Sequence, residues 1–156
     1  MKRDLVVTRI FDAPLEQVWK AWTDPDLIMC WWGPVGFTSP SAKIDFRVGG
    51  TSLVCMRMPN GPNLYNTWLY KKIEPMKLIE FVQNLADQDG NTADPASMGM
   101  PPDFPLDMRS EVAFRDLGNG KTELIATEFD WTVGPMHDMS KAGLEQCLDK
   151  MAECLK

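Results

Sequence analysis

Hydrophobic residues recur with two periods along the chain, and each period predicts a different kind of element. Residues 5–11, LVVTRIF, form a run of β-branched and aromatic residues that predicts an opening strand. Apolar side chains then recur every three to four positions through residues 15–22, LEQVWKAW, behind Pro14, a residue favoured in the first helical turn. These patterns predict a strand followed by a short amphipathic helix.

A second short helix is expected directly after the first. Asp24 supplies an N-cap side chain and Pro25 a first-turn proline, and the helix must stop at Trp32 because a Gly-Pro pair follows it. Since adjacent helical residues point about 100° apart, Trp31 and Trp32 cannot face the same place. We expect one of them to wedge the short helices against a sheet and the other to line or cap a cavity.

From residue 42 to residue 131 the hydrophobic period becomes two, which is typical of antiparallel strands joined by tight turns. Glycine, proline and asparagine separate the alternating runs, most clearly at residues 49–50, 59–62 and 118–120. The runs predict about six strands, at residues 42–48, 51–58, 63–74, 78–85, 109–117 and 121–131.

The last segment returns to the helical period. Residues 140–156 place an apolar stripe on one helical face and charged residues on the other. The stripe comprises Leu144, Cys147, Leu148, Met151, Ala152, Cys154 and Leu155. A curved sheet wrapped around this long helix would bury one face of each, so we predict a single α+β domain over residues 1–156 with room for a cavity.

A long segment without periodicity, residues 84–108, interrupts the strands. It is rich in aspartate, proline and methionine and has no lysine or arginine, and we expect a partly ordered flap. Asp87, Asp89, Asn91 and Asp94 have the composition of a calcium loop, but Gly90 comes too early for an EF-hand. A solvated acidic loop without a metal is therefore expected there.

Composition and charge narrow the classes of function. A chain of 156 residues, 44% of them hydrophobic, is long enough to bury one core. The net charge of −6 and the lack of a basic run argue against nucleic acid or an anionic membrane surface as a partner. No apolar run approaches the roughly 20 residues that cross a bilayer, and the first residues do not form a signal-peptide pattern. We expect a cytoplasmic protein.

Candidate catalytic residues are few. His137, the only histidine, lies near the expected start of the last helix, where an exposed or capping role is typical. Asp45 and Arg47 share one face of a predicted strand and are expected to form a surface ion pair; the alternative is a polar anchor inside an apolar pocket. The sequence predicts no catalytic residue, no metal site and no cofactor.

Cysteine spacing does not indicate a metal or redox motif. The four cysteines are scattered, with no C-x-x-C pair and no Cys/His cluster. They are Cys30, Cys55, Cys147 and Cys154. Since a chain of this length does not need disulfides, we expect thiols packed in the core.

Large, soft apolar side chains are unusually frequent. The chain has six tryptophans and 11 methionines, and so many tryptophans are difficult to pack in a small domain without voids. We therefore predict a hydrophobic ligand cavity between the sheet and the last helix. Its expected walls are Trp31, Trp32, Phe37, Phe46, Met56, Trp68, Tyr70, Phe81, Phe114, Leu144 and Leu148.

Several motifs together resemble one known family. They are DAPLEQVWKAWTDPDLIMCWWGPVGFT at residues 12–38, DFRVGG at 45–50, MPNGP at 58–62, KKIEPMKLIEF at 71–81, GNGKTEL at 118–124 and GLEQCLDKMAECL at 143–155. In these motifs the chain resembles the family related to the activator of the 90-kDa heat-shock protein ATPase, in the START-like, helix-grip (SRPBCC) superfamily. The resemblance implies a curved antiparallel sheet gripping the C-terminal helix, with two short helices after the first strand and a hydrophobic pocket.

The chain departs from the family pattern at two positions. The family usually has a small residue where Trp68 stands, and an aromatic residue where Leu144 follows the glycine of the last helix. The first departure is expected to narrow the pocket, and the second to widen it.

Three functions are compatible with these expectations. The one we favour is non-catalytic binding of a small hydrophobic or amphipathic molecule, with the flap over the mouth of the cavity. The second, implied by the resemblance, is a cochaperone-like or stress-associated interaction with a chaperone or another protein. The third is a cyclase- or hydrolase-type enzyme, which needs a polar pair inside the pocket, such as Arg57 or Asp45 with Tyr70. We expect a monomer or homodimer.

Overall fold

A seven-stranded antiparallel sheet and three α-helices make up the fold in the computed structural model, which describes residues 1–101 and 104–156. The strands are β1 (Lys2–Phe11), β2 (Ala42–Lys43), β3 (Thr51–Arg57), β4 (Asn63–Glu74), β5 (Leu78–Ala86), β6 (Met108–Gly118) and β7 (Lys121–Thr132). The helices are α1 (Leu15–Ala21), α2 (Pro25–Trp31) and α3 (Pro135–Cys154), and one 3₁₀ turn covers Pro95–Met98.

The strands follow one another across the sheet in the order β1-β7-β6-β5-β4-β3-β2. Each pair of neighbours is antiparallel, and the short helices α1 and α2 come directly after β1. Helix α3 packs against β1, β7 and α2. The predicted α+β helix-grip fold is confirmed, including the long C-terminal helix and the two short helices after the first strand.

Alternation along the strands decides which side chains reach the core. On β7, Thr122, Leu124 and Ala126 are buried, whereas Glu123 and Ile125 between them are only partly buried. The helices cover the inward face of the sheet, where apolar side chains are removed from water. The cavity described below opens from this inward face.

The strand predicted at residues 42–48 is much shorter in the structure, where β2 contains only Ala42–Lys43. The chain after it forms consecutive turns, with backbone N–H donors of Arg47 and Gly50 bonded to the carbonyls of Asp45 and Arg47. The alternation is therefore lost, and Val48 is exposed. The predicted surface ion pair is confirmed, since Arg47 Nε lies 2.9 Å from Asp45 Oδ1.

The cysteines are divided between two states. Cys55 and Cys147 are buried free thiols, as predicted, whereas Cys30 and Cys154 form a disulfide. The prediction of core thiols was wrong for this pair. Its Cα atoms are 6.3 Å apart because the C-terminal ends of α2 and α3 pack together, and a separation of 124 residues conceals this proximity in the sequence.

His137 lies in the first turn of α3, as predicted, but its side chain is buried rather than exposed or capping the helix. Its Nε2 lies 3.3 Å from the carbonyl oxygen of Asp4, and its Nδ1 lies 3.1 Å from Asp138 Oδ1. The ring thereby connects the start of α3 to β1.

No helix among the described residues is both long enough and apolar enough to span a bilayer.

The segment between β5 and β6 covers residues 87–107, slightly less than predicted. Asp87 Oδ1 accepts hydrogen bonds from the backbone N–H groups of Asp89 and Asn91, and these bonds lower the pKa of Asp87. The first half of the segment is thus a hydrogen-bonded acidic turn. Pro102 and Asp103, which belong to the predicted flap, lie outside the described residues.

Candidate functional site

A cavity of about 270 Å³ lies between the inward face of the sheet, helix α3 and the segment 87–107. Strands β3 to β7 form one side, and helix α3, the residues that follow α2 and the connecting segment form the others. Most of the lining side chains are apolar: Trp32, Pro34, Met56, Leu64, Leu85, Met100, Phe104, Pro105, Met108, Trp131 and Leu144. A space of this kind suits a small molecule with an apolar body.

A second, smaller chamber of about 30 Å³ adjoins the cavity. The two spaces share four lining residues, Trp32, Gln83, Glu128 and Leu144. Because a water molecule needs about 10–15 Å³ by this measure, the smaller chamber has room for about two waters. A ligand would therefore occupy mainly the larger space.

Five of the eleven predicted wall residues line these spaces. Trp32 and Leu144 line both, Met56 lines the cavity, and Trp68 and Phe81 line the small chamber. The other six lie outside both spaces: Trp31, Phe37, Phe46, Tyr70, Phe114 and Leu148. Participation of any of the eleven in binding remains a prediction.

Most of the predicted wall residues that do not line the cavity pack in the hydrophobic core instead. Trp31 is completely buried and donates its indole N–H to the carbonyl oxygen of Ala21 at 2.7 Å. Trp19 packs edge-on against Phe46 and Phe114, with ring centroids 5.6 and 5.0 Å apart. Leu148 is also fully buried. These side chains fix the helices on the sheet rather than facing the open space.

Tyr70 is likewise a core residue. Its hydroxyl lies 2.7 Å from Ser52 Oγ, and both residues are buried. Burial raises the pKa of Tyr70 to about 12, so the phenol stays protonated. Arg57 donates to Asn63 at the surface, and Asp45 pairs with Arg47. The polar pair proposed from the sequence for an enzyme is therefore not assembled in the cavity.

Trp68 fills the space that separates the cavity from the deeper core. Its ring centroid lies 5.9 Å from that of Trp22, 5.2 Å from Trp32 and 5.6 Å from Phe81. The indole N–H groups of Trp22, Trp32 and Trp68 have no acceptor among the described residues, so packing holds this aromatic cluster. The small chamber lies beside Trp68.

Sequence reasoning missed a polar group inside the cavity, centred on Glu128. Glu128 Oε1 accepts a hydrogen bond from Trp131 Nε1 at 3.0 Å, and Oε2 accepts one from Gln83 Nε2 at 3.2 Å. The amide of Gln83 also donates to Ser110 Oγ at 2.9 Å. The carboxyl group is thus held by two donors and lines both the cavity and the small chamber.

Burial raises the pKa of Glu128, while the hydrogen bonds from Trp131 and Gln83 and the nearby His137 oppose the shift. Among the described residues that line the cavity, Glu128 is the only one with a charged side chain. Cys147 also lines the cavity, and burial raises the pKa of its thiol to about 11. The thiol is therefore neutral and a poor nucleophile.

Metal ligation has no structural basis in the part of the chain that the structure describes. There, no group of three or more histidine, cysteine, aspartate or glutamate side chains is placed to hold an ion. The cavity combines an apolar lining with one carboxyl group, which suits reversible binding of an organic molecule.

One protein family matches nearly the whole chain. The model of the family described as activator of Hsp90 ATPase homolog 1-like protein matches residues 12–156. None of the curated proteins compared with the chain matches it significantly.

Several solved structures share the fold at low sequence identity. A protein from Staphylococcus epidermidis is 22% identical with a TM-score of 0.78, covering 99% of this chain and 90% of that one. Protein CV1439 from Chromobacterium violaceum is 22% identical with a TM-score of 0.77, covering 97% and 96%. An AHSA1-like protein from Aeromonas hydrophila is 21% identical with a TM-score of 0.73, covering 97% and 91%. At these identities the structures show a common fold.

Proposed function

The chain belongs to the family of activator of Hsp90 ATPase homolog 1-like proteins, and from this premise we propose that it binds a small hydrophobic or amphipathic molecule without catalysing a reaction. The observation that carries the proposal is the cavity of about 270 Å³ with its mainly apolar lining. Ligand sites are commonly apolar clefts of roughly 300–1,000 Å³ with a few polar groups. The cavity lies near the lower limit of that range, which favours a short or compact ligand.

The segment 87–107 supports the proposal because it contributes to the lining. Met100, Phe104 and Pro105 of this segment line the cavity, and the ring of Phe104 packs edge-on against Trp131 with centroids 6.3 Å apart. Loops of this length in a compact domain often serve as lids or binding loops. We therefore keep the hypothesis of a flap that covers the ligand.

Native mass spectrometry of the purified protein against a library of lipids and aromatic metabolites tests the proposed function. We expect one molecule to bind per chain and to remain bound after gentle desolvation. If no member of the library binds and the cavity proves to be filled by side chains in an experimental structure, the proposal is wrong.

A variant with a filled cavity provides the matched control. Leu144 lines both spaces, so Leu144→Trp should occupy the volume that a ligand needs. This variant is expected to keep its circular dichroism spectrum and to lose ligand binding. Unchanged binding in the variant would place the ligand elsewhere on the molecule.

The alternative function is a cochaperone-like interaction, and it rests on family membership alone. It is tested by adding the protein to a cognate 90-kDa heat-shock protein and measuring ATP hydrolysis together with co-precipitation. Stimulation of hydrolysis would favour this function. Absence of both stimulation and a precipitated partner would remove it.

The enzymatic alternative now depends on Glu128 rather than on Asp45, Arg57 or Tyr70. A partly buried carboxyl group with a raised pKa has the properties of a general acid or base. Turnover of a bound library member by the unaltered protein, but not by Glu128→Gln, would favour an enzyme. Recovery of every bound molecule unchanged would support binding alone.

The cytoplasmic location remains a prediction. Disulfides such as Cys30–Cys154 persist mainly in oxidising compartments, whereas cytosolic thiols are kept reduced. Alkylation of thiols at the moment of cell lysis, followed by mass spectrometry, would show which state the pair has in the cell. The oligomeric state, monomer or homodimer, also remains a prediction and is measured by light scattering.

A further inference from the structure

The carboxyl group inside the cavity points to a particular ligand head group. Resting on the proposed function, we propose that the cavity prefers an amphipathic molecule with a protonated amine, whose ammonium group binds at Glu128. The apolar tail of such a molecule would lie against the methionine and aromatic side chains of the same cavity.

Glu128 has both the position and the free hydrogen-bonding capacity for this role. Trp131 and Gln83 each donate one hydrogen bond, to different oxygens of the carboxyl group. An ionised carboxylate has about four acceptor positions, so it can accept further bonds from an ammonium group. The two protein donors would fix its orientation before the ligand arrives.

No countercharge for Glu128 lies on the described part of the cavity wall, which contains no lysine, arginine or histidine. Two side chains that can carry a positive charge, Lys150 and His137, do not line the cavity, although His137 lies close enough to Glu128 to lower its pKa. Lys150 Nζ donates to the carbonyl oxygens of Gly33 and Phe37, and the ring of His137 contacts Asp138 and the Asp4 carbonyl. A ligand ammonium would supply the countercharge that the wall does not.

Aromatic rings in the same lining favour a cation for a second reason. Trp32, Phe104 and Trp131 line the cavity together with Glu128. The faces of aromatic rings attract cations, and the attraction grows when water is excluded. An anionic head group would instead meet both the carboxyl group and these rings, so fatty acid anions should bind poorly.

Calorimetric titration with three ligands of equal tail length tests the inference at neutral pH. The probes are octylamine, 1-octanol and octanoate, whose head groups are cationic, neutral and anionic. We expect octylamine to bind about tenfold more tightly than 1-octanol, as one charge-assisted hydrogen bond can supply. Octanoate should bind most weakly. This comparison uses the unaltered protein and does not depend on the folding of a variant.

Two variants locate the preference. In Glu128→Gln the affinity for octylamine should fall about tenfold, so that octylamine no longer binds more tightly than 1-octanol. Glu123→Gln removes the same charge from the opposite face of β7 and should leave all three affinities unchanged. Retained binding of 1-octanol also shows that a variant is folded.

The outcomes separate the inference from the proposed function. If 1-octanol binds but octanoate binds as tightly as octylamine, the inference is wrong while apolar binding stands. The inference is equally wrong if Glu128→Gln keeps the preference for octylamine. If none of the three ligands binds, both the inference and the proposed function at this cavity fail.

Discussion

Glu128 shows how a single residue can be overlooked in a hydrophobic pattern. On β7 the buried positions are Thr122, Leu124 and Ala126, and Glu128 is the next position in the same phase. The alternation alone therefore places its carboxyl group on the inward face. The sequence nevertheless predicts a cavity wall of aromatic, methionine and leucine side chains, because a carboxylate on a strand is usually solvated.

The raised pKa of Glu128 gives stability a characteristic dependence on pH. Below the ordinary pKa of 4.5 the group is protonated in both the folded and the unfolded chain. As pH rises above 4.5, the unfolded chain releases this proton first, so the free energy of unfolding falls until the folded-state pKa is passed. Glutamine does not titrate, so the free energy of unfolding of Glu128→Gln should not show this decrease.

Urea denaturation between pH 4 and pH 8 measures the effect. The free energy of unfolding of Glu128→Gln minus that of the unaltered protein should increase with pH, by about 1.4 kcal/mol for each unit by which the pKa is raised. Glu123→Gln on the opposite strand face serves as the reference variant. A difference that decreases with pH would mean that burial does not raise the pKa of Glu128.

The adjacent Trp31 and Trp32 should respond differently to truncation. Trp31→Ala removes a fully buried ring and should lower the free energy of unfolding by about 3–5 kcal/mol. Trp32→Ala should cost less stability but weaken 1-octanol binding at least about tenfold, since Trp32 lines both spaces. Chemical denaturation and calorimetry distinguish the two. The reverse ranking would mean that the wrong tryptophan has been placed at the cavity.

At the scale of elements, α2 and α3 are joined beside the cavity by a disulfide and a hydrogen bond, and we call this pair of helices the clamp. The Cys30–Cys154 disulfide joins their C-terminal ends, and Val35 just after α2 donates its backbone N–H to Gln146 of α3. Residues Trp32 and Pro34 of this connection line the cavity. The clamp could not be predicted because pairs so distant in sequence meet only once the whole sheet has formed.

Loss of the disulfide is expected to destabilise the fold without abolishing it. Reduction should lower the free energy of unfolding by about 2–4 kcal/mol, since the crosslink restricts the unfolded chain. Denaturation with and without a thiol reductant measures this change, and Cys30→Ser should show no effect of the reductant. Titration of the denatured, unreduced protein should detect two thiols, Cys55 and Cys147. Four reactive thiols would contradict the disulfide.

The segment 87–107 should control ligand exchange more than fold stability. Phe104 lines the cavity and packs on Trp131, so Phe104→Ala should accelerate dissociation of a bound ligand. Leu106→Ala alters a residue of the same segment that is 60% exposed and should leave the rate unchanged. Stopped-flow measurement of tryptophan fluorescence provides the rates. Equal rates for both variants would remove the flap hypothesis.

At the scale of the whole molecule, the order of elements could be predicted because segments with the helical period of hydrophobic residues are clearly separated from segments with the strand period. The hairpin at Gly118-Asn119-Gly120 joins β6 and β7 as predicted, and the apolar stripe of α3 buries Cys147, Leu148 and Met151. The predicted strand after residue 42 ended early because turn hydrogen bonds replaced strand pairing. Burial of His137 was missed since it depends on contacts between the two ends of the chain.

The existence of a cavity could be predicted more readily than its walls. Six tryptophans indicated imperfect packing, but which of them face the space depends on distances between elements that no local pattern contains. Trp68 and Phe81 face the small chamber, whereas Phe46 and Phe114 pack on Trp19.

The central claim, that an apolar molecule binds between the sheet and α3, is tested most directly by NMR of the indole N–H signals during titration with 1-octanol. Trp32 and Trp131 line the cavity, whereas Trp19 packs in the core against Phe46 and Phe114. We expect saturable shifts of the Trp32 and Trp131 signals and an unchanged Trp19 signal. Signals that do not move, or a largest shift at Trp19, would contradict the claim.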